Sequence, residues 1–381
     1  MYNSCMIQRY YSNLEDYIKP DRALIIYGAR RVGKTTLINN FLSKQNKYKS
    51  LLLSGDDIRV QQVLSSKNID TIKNRIEDAD LVIIDEAQKI PNIGEGLKII
   101  VDYIKGVNLI ATGSASFDLA NKVGEPLTGR KTTLVLYPLS QLELANTYFN
   151  KYDQMQDVEK YLIFGGYPQI VTTKTVGEKI AFLLEITNSY LFRDVLEIEN
   201  VQNPDFLLKL LQLLAYQIGN EVSLTELGKS LSLDYKTVNR YLYLLEKSFI
   251  IKKIGGFSRN LRKEVTKTSR YYFYDNGIRN AVINNFNPIE VRDDIGALWE
   301  NFLVMERLKK QEYKSIHSNN YFWRTWDQKE VDFVEERGGK LYGFEFKWKD
   351  DKSKGKKYFE ETYKESIVEV INQENYLDFI L

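Results

Sequence analysis

From residue 22 to residue 137, short apolar runs alternate with stretches of helical spacing. The runs at 22–27, 50–54, 81–84, 107–112 and 132–136 have the length of strands. Ala23 to Tyr27 and Leu81 to Ile84 are continuously apolar, as strands covered on both faces are. The intervening stretches at 34–44, 58–66, 69–77 and 93–105 read as helices. This alternation predicts an α/β fold with a parallel sheet and helices on both faces. Residues 1–20 predict an amphipathic lead-in helix ending near Pro20. Beyond 137 the pattern turns mainly helical, at 139–149, 157–164 and 178–197. Gly165-Gly166-Tyr167-Pro168 forms a turn among these helices, and Arg193-Asp194 reads as an ion pair in the last of them.

A different rhythm follows. A helix at 205–218 precedes two short helices that meet at Ser232-Leu233, and then a strand from Phe249 to Ile254. This order predicts a winged helix-turn-helix. Val238, Tyr241, Leu242 and Leu245 form one apolar stripe on its second helix. The last stretch predicts a helix from Asp294 to Gln311 and a strand from Asn320 to Trp326. A hairpin then turns at Arg337-Gly338-Gly339, followed by a helix at 355–364 and a strand at 366–371.

The most specific signal is Gly28-Ala29-Arg30-Arg31-Val32-Gly33-Lys34-Thr35-Thr36, which fits G-x-x-x-x-G-K-[ST]. It lies between a strand and a helix, the context this phosphate-binding loop requires. The glycines let backbone N–H groups converge on phosphate oxygens, and the helix that follows presents its positive end. Lys34 would reach the β- and γ-phosphates, and the Thr35 hydroxyl would ligate Mg²⁺. The plainer alternative is a glycine turn capping a helix. A second signal weighs against that: Leu81-Val82-Ile83-Ile84-Asp85-Glu86 is an apolar strand ending in two carboxylates. Asp85 would hold Mg²⁺ and Glu86 would orient or activate the attacking water. The strand at 107–112 ends in small polar residues. Thr112 or Ser114 would sense the γ-phosphate or hold the water, or simply turn the chain. Arg130 precedes the next strand. It reads either as a group that stabilises transition-state charge, in cis or across a subunit interface, or as a surface arginine.

Taken together, "YGARRVGKTTL", "LVIIDEAQKIPN", "ATGSAS", "LTGR", "YPLSQLEL" and "FGGYP" resemble a large group of prokaryotic AAA+-like ATPases. Those proteins pair the ATPase with a C-terminal region of poorly defined role, and the resemblance covers nearly the whole chain. It implies that Gly28, Gly33, Lys34 and Thr35 bind ATP. It places the acidic pair at Asp85 and Glu86 and the "GR" arginine at Arg130. Thr128 stands where many such proteins carry alanine.

Two further groupings carry candidate chemistry. On the second helix of the predicted winged helix, Tyr235, Lys236, Asn239, Arg240 and Tyr243 fall on the outward face. Lys236 and Arg240 would meet phosphates and Asn239 a base edge, with Arg259, Arg262 and Lys263 adding charge on the wing. The alternative is a module that packs or binds a protein. In the C-terminal hairpin, strand period puts Glu345 and Lys347 on one face, with Asp332 on the paired strand. An aspartate followed by Glu-x-Lys is the D…(D/E)xK nuclease pattern, and the elements around it resemble the core of that superfamily. Asp332, Glu345 and Glu300 would bind Mg²⁺, and Lys347 would help orient or activate water. A fold of this kind can also persist as a docking surface.

Composition narrows the picture. A chain of 381 residues is long for one domain. The expected domains are a P-loop AAA+-like ATPase at 1–137, a helical lid or connector at 138–203, the winged helix at 204–275 and a restriction-endonuclease-like α/β domain at 290–381. A single cysteine excludes an internal disulfide framework, and a single histidine, His317, excludes His-based metal clusters. Without a membrane-length apolar run or an N-terminal apolar leader, the expected location is cytoplasmic. The net charge of +2 does not by itself point to a polyanion. The favoured expectation is a Mg²⁺-dependent ATPase controlling DNA-acting modules, with DNA and a second copy of the chain as partners. The alternative is a nucleotide-switched regulator or scaffold that binds a protein and cuts nothing. A motor moving DNA, the third reading, needs a ring of subunits.

Overall fold

A computed structural model describes residues 7–114, 127–190, 204–258, 268–325, 328–349 and 355–381. Arg193, Asp194, Arg259, Arg262 and Lys263 lie outside the described residues. Five strands form the first sheet: β1 (Ala23–Tyr27), β2 (Ser50–Ser54), β3 (Leu81–Asp85), β4 (Asn108–Gly113) and β5 (Lys131–Val135). All pair in parallel, in the order β2-β3-β4-β1-β5. Every residue of β1 is buried, as expected of an inner strand with helices on both faces. Helix α1 (Lys34–Lys44) turns Leu37, Ile38 and Phe41 inward, and α2 (Ile93–Tyr103) does the same with Leu97 and Ile100. In register, Tyr27 pairs with Gly113 and Ile84 with Ala111. The ends of β1, β3 and β4 therefore share one edge of the sheet. Lys131 pairs with Ala23, so Arg130 sits at the opposite edge.

The predicted lead-in helix does not form within 7–20; only Leu14–Tyr17 makes a short 3-10 turn. Tertiary partners take the polar groups that a helix would have used. Arg9 is buried, and the backbone N–H of Tyr10 donates to Glu143 Oε1 at 2.9 Å. Between 138 and 190 lie short helices, among them α3 (Val158–Phe164) and α4 (Val176–Glu185).

Residues 204–258 contain α5 (Pro204–Tyr216), α6 (Leu224–Leu231) and α7 (Tyr235–Lys247), followed by β6 (Ile251–Gly256). Each of the last two helices has a side-chain cap: Ser223 accepts from Glu226 N, and Asp234 from Lys236 N and Thr237 N. Strand β7 (Ser269–Phe273) returns antiparallel to β6, and α8 (Asn276–Val282) follows. Next come α9 (Ile295–Tyr313), β8 (Asn319–Arg324), β9 (Glu330–Arg337), β10 (Lys340–Phe346), α10 (Lys356–Thr362), β11 (Ile367–Ile371) and α11 (Tyr376–Ile380). Gly338 and Gly339 both have positive φ, as a two-residue hairpin turn between β9 and β10 requires. The second sheet has six strands in the order β11-β10-β9-β8-β6-β7. Strand β6 joins β8 through Gly255–Tyr321 and Gly256–Phe322. One continuous sheet thus crosses from residues 251–273 to residues 319–371.

Candidate functional site

The phosphate-loop segment leaves β1 and enters α1 at the shared sheet edge. Gly28 passes so close to the next segment that an added Cβ would lie 2.2 Å from Leu136 O. Gly33 caps α1 at φ +98, a conformation that suits glycine. Ala29 and Val32 are buried, and Thr36 is exposed in the first turn of α1. Lys34 lies along the loop, its Nζ donating to Gly28 O at 2.8 Å and Ala29 O at 2.9 Å. Arg30 and Arg31 are at the crest, where Arg31 pairs with Glu185 at 2.8 Å and lies over the Phe182 ring. The Arg31 side chain therefore turns to α4.

Asp85, at the end of β3, joins polar groups of α1 and β4. Its Oδ2 accepts the Thr35 hydroxyl at 2.9 Å, and its Oδ1 accepts the Thr112 hydroxyl. Glu86 is in the left-handed region at φ +53, a strained conformation of the kind that gathers at functional sites. Gln88, which the motifs alone did not single out, donates from Nε2 to Glu86 Oε2 at 2.5 Å and to Ser114 Oγ at 3.0 Å. Lys34, Thr35, Asp85, Glu86, Gln88, Thr112 and Ser114 thus form one constellation. Arg130 does not join it. It pairs with Asp102 at 2.6 Å across the far edge, so a role in cis at this loop is excluded by distance along β1.

Arg9 supports the loop from behind. It donates to Val32 O at 2.5 Å, to Tyr137 O at 2.7 Å and to Glu143 Oε1 at 2.7 Å. Glu143 Oε2 also accepts from Tyr313 OH at 3.3 Å, at the end of α9. Pro168 Cγ lies 3.9 Å from the position of a Cβ on Gly33. Two residues earlier, Gly166 N donates to Asp275 Oδ2 at 2.7 Å, and Asp275 caps α8. The segments around the loop are therefore bonded in turn to Asp275 and Tyr313, which flank strands of the second sheet.

In α7, Lys236, Asn239 and Arg240 are exposed along with Tyr235 and Tyr243. They line one groove with Lys253 and Tyr271.

The C-terminal carboxylates have among them an arginine that the nuclease pattern does not include. Asp332 is buried and Glu300 half-buried around Arg270, a buried residue of β7. Arg270 Nη1 is 3.2 Å from Glu300 Oε1 and 3.8 Å from Asp332 Oδ1, and Nη2 is 2.9 Å from Glu330 Oε2. Tyr272 OH donates to Glu300 Oε1 at 2.7 Å. Burial raises the Glu300 carboxyl well above the usual carboxylate range; Asp332 adds to the rise and Arg270 opposes it. Burial likewise raises Asp332, against the pull of Lys347 and Arg270. Glu345 is engaged elsewhere, accepting Gly355 N–H at 3.1 Å, with Lys347 Nζ at 3.9 Å. Among the described residues no group of three or more acidic, His or Cys side chains is placed to hold a metal ion. Of the expected metal set, Glu300 is bonded to the Arg270 guanidinium, Asp332 lies 3.8 Å from it, and Glu345 accepts Gly355 N–H instead. Spacing alone missed Arg270, which lies 30 residues before Glu300 on a strand with no motif of its own.

A glycine-rich loop between strand and helix, facing an acidic strand end across an intervening strand, defines a nucleotide-binding P-loop ATPase domain. Residues 20–145 match a family model described as an AAA domain. Residues 155–288 and 295–376 match two models, each described as a domain of unknown function. Uncharacterized proteins of Mycobacterium bovis and Mycobacterium tuberculosis are each 29% identical over 273 residues, 70% of this chain and 58% of theirs. The chain therefore matches little more than half the length of those relatives. A solved signal-transduction ATPase with a tetratricopeptide repeat sensor from Pyrococcus horikoshii overlaps 76% of this chain and 44% of its own. Its identity is 15% and its TM-score 0.26, an overlap too loose to fix fold or role. Among the described residues no helix is long and apolar enough to cross a membrane.

Proposed function

We propose that the chain binds and hydrolyses ATP with Mg²⁺ and passes its nucleotide state to a DNA-contacting winged helix formed by α5, α6, α7 and the β6–β7 ribbon. The observation that carries the ATP reading is the Thr35–Asp85 contact, which brings together the hydroxyl and carboxylate that would hold Mg²⁺. Backbone N–H groups of 28–34, Lys34 and the positive end of α1 would cradle the phosphates, with Thr36 and the Arg30–Arg31 crest beside them. Bound Mg²⁺ would supply charge neutralisation on the β- and γ-phosphates. Glu86 would take up the proton of the attacking water, and Ser114 would report the γ-phosphate to Glu86 through Gln88. The route outward runs through Arg9 and Glu143 to α9, and through Gly166 and Asp275 to α8. A role for Arg130 at the ATP site requires a second copy of the chain.

The DNA reading rests on the exposed Lys236, Asn239 and Arg240 with two tyrosines on one helix face. ATP hydrolysis by wild type, Lys34→Ala and Glu86→Gln, with and without DNA, tests both parts. Loss of turnover in both variants and stimulation of wild type by DNA would support the whole proposal. Turnover indifferent to DNA would remove the DNA part and leave the ATPase.

A second reading, a nucleotide-switched regulator or scaffold whose C-terminal module binds a protein and cuts nothing, is favoured by one observation. Arg270 lies among the carboxylates that a nuclease would give to metal.

A further inference from the structure

The nuclease pattern asks for carboxylates with open oxygen sites, because Mg²⁺ requires oxygen ligands at about 2.0–2.1 Å in near-octahedral order and Mn²⁺ also favours oxygen ligands. Each carboxylate of the predicted centre, Glu300, Asp332 and Glu345, already has a partner inside the fold, Glu345 accepting Gly355 N–H at 3.1 Å with Lys347 Nζ at 3.9 Å, and Glu330 joins them beside Arg270. Glu300 Oε1 accepts from both Arg270 and Tyr272. Asp332 Oδ2 accepts Phe346 N–H at 2.8 Å, and its Oδ1 faces Arg270 Nη1. Glu330 Oε2 accepts the other arm of the guanidinium. The arginine is itself fixed: its side chain is 2% exposed, its backbone sits in register with Ile254, and its guanidinium stacks 4.6 Å from the Phe322 ring centroid. A planar, permanently charged fork on a short strand cannot shed its charge to admit a dication.

We propose that this centre takes no divalent metal and that Arg270 is its resident cation. The guanidinium bonds Glu300 of α9 and Glu330 of β9, stands 3.8 Å from Asp332, and pins the β6–β7 ribbon to them. A centre filled in this way has neither the metal-bound water nor the charge needed to break a phosphodiester. The inference deepens the second reading and rests only on its claim that nothing is cut. Partner binding is measured separately, so a failed search for a partner leaves it standing.

The test is Mn²⁺ titration of the full-length chain without nucleotide, following free Mn²⁺ by electron paramagnetic resonance. Wild type and Asp332→Asn are expected to bind Mn²⁺ alike, with no tight site in either. Arg270→Gln frees the carboxylates and is expected to bind Mn²⁺ at least tenfold more tightly than wild type, a gain removed in Arg270→Gln/Asp332→Asn. Far-ultraviolet circular dichroism confirms that each variant is folded. If Arg270→Gln does not fold, wild type and Asp332→Asn decide alone. A wild-type Mn²⁺ site lost on Asp332→Asn, or Asp332-dependent nicking of plasmid, would overturn the proposal. So would a folded Arg270→Gln that gains no metal.

Discussion

Asp85 uses its two oxygens for two different neighbours, the Thr35 hydroxyl at the start of α1 and the Thr112 hydroxyl at the end of β4. Its position therefore reports on both. Glu86 next to it is steered by Gln88, which also holds Ser114. Three variants separate these roles in an ATPase assay paired with nucleotide-binding fluorescence. Lys34→Ala is expected to abolish ATP binding. Glu86→Gln is expected to bind ATP but turn it over roughly 100-fold more slowly or worse, the usual scale for losing a general base. Gln88→Ala is expected to lower kcat by about tenfold with ATP affinity unchanged, since it touches Glu86 and not the phosphate loop. Lys34, Thr35, Asp85 and Glu86 were legible in the sequence because their chemistry demands fixed local spacing beside a strand. Gln88 and Arg9 were not, because their meaning depends on Ser114, 26 residues on, and Glu143, 134 residues on.

At the scale of elements, the apolar runs predicted the strands well because a buried parallel strand has little freedom in composition. The order of those strands was not legible. It is this order that puts β4 between the loop and Asp85 and sends Arg130 to the far edge. Nor did spacing reveal that β6 pairs with β8, since pairing is set by edges that meet only in the folded chain. This pairing makes a definite prediction. A fragment of residues 204–275 keeps β7 but loses β8, the other partner of β6, and exposes a sheet edge, so it is expected to aggregate or remain partly unfolded in circular dichroism and size-exclusion chromatography. DNA binding therefore has to be measured on the full chain. Within the first sheet, Gly28→Ala would press a methyl group against Leu136 O, and a loss of about 1–3 kcal/mol in chemical denaturation is expected.

For the whole molecule, a few buried polar groups link the phosphate loop to the helix that precedes β8 of the second sheet. Arg9 is bound to the phosphate loop, to the segment after β5 and to Glu143, while Glu143 reaches Tyr313 on α9. Arg9→Ala would leave Glu143 buried without its cation. The expected penalty is about 3–5 kcal/mol in denaturant titration, with weaker ATP binding. Glu143→Gln keeps a hydrogen-bond acceptor for Arg9 and is expected to be milder in both measurements. The same cluster has a consequence in time. Tyr10 stacks on Tyr313, with ring centroids 4.8 Å apart, so a segment before β1 waits for a partner some three hundred residues further along the chain. Until residue 313 leaves the ribosome, the phosphate loop lacks part of its support. The support behind the phosphate loop is therefore completed by contacts that span most of the folded chain.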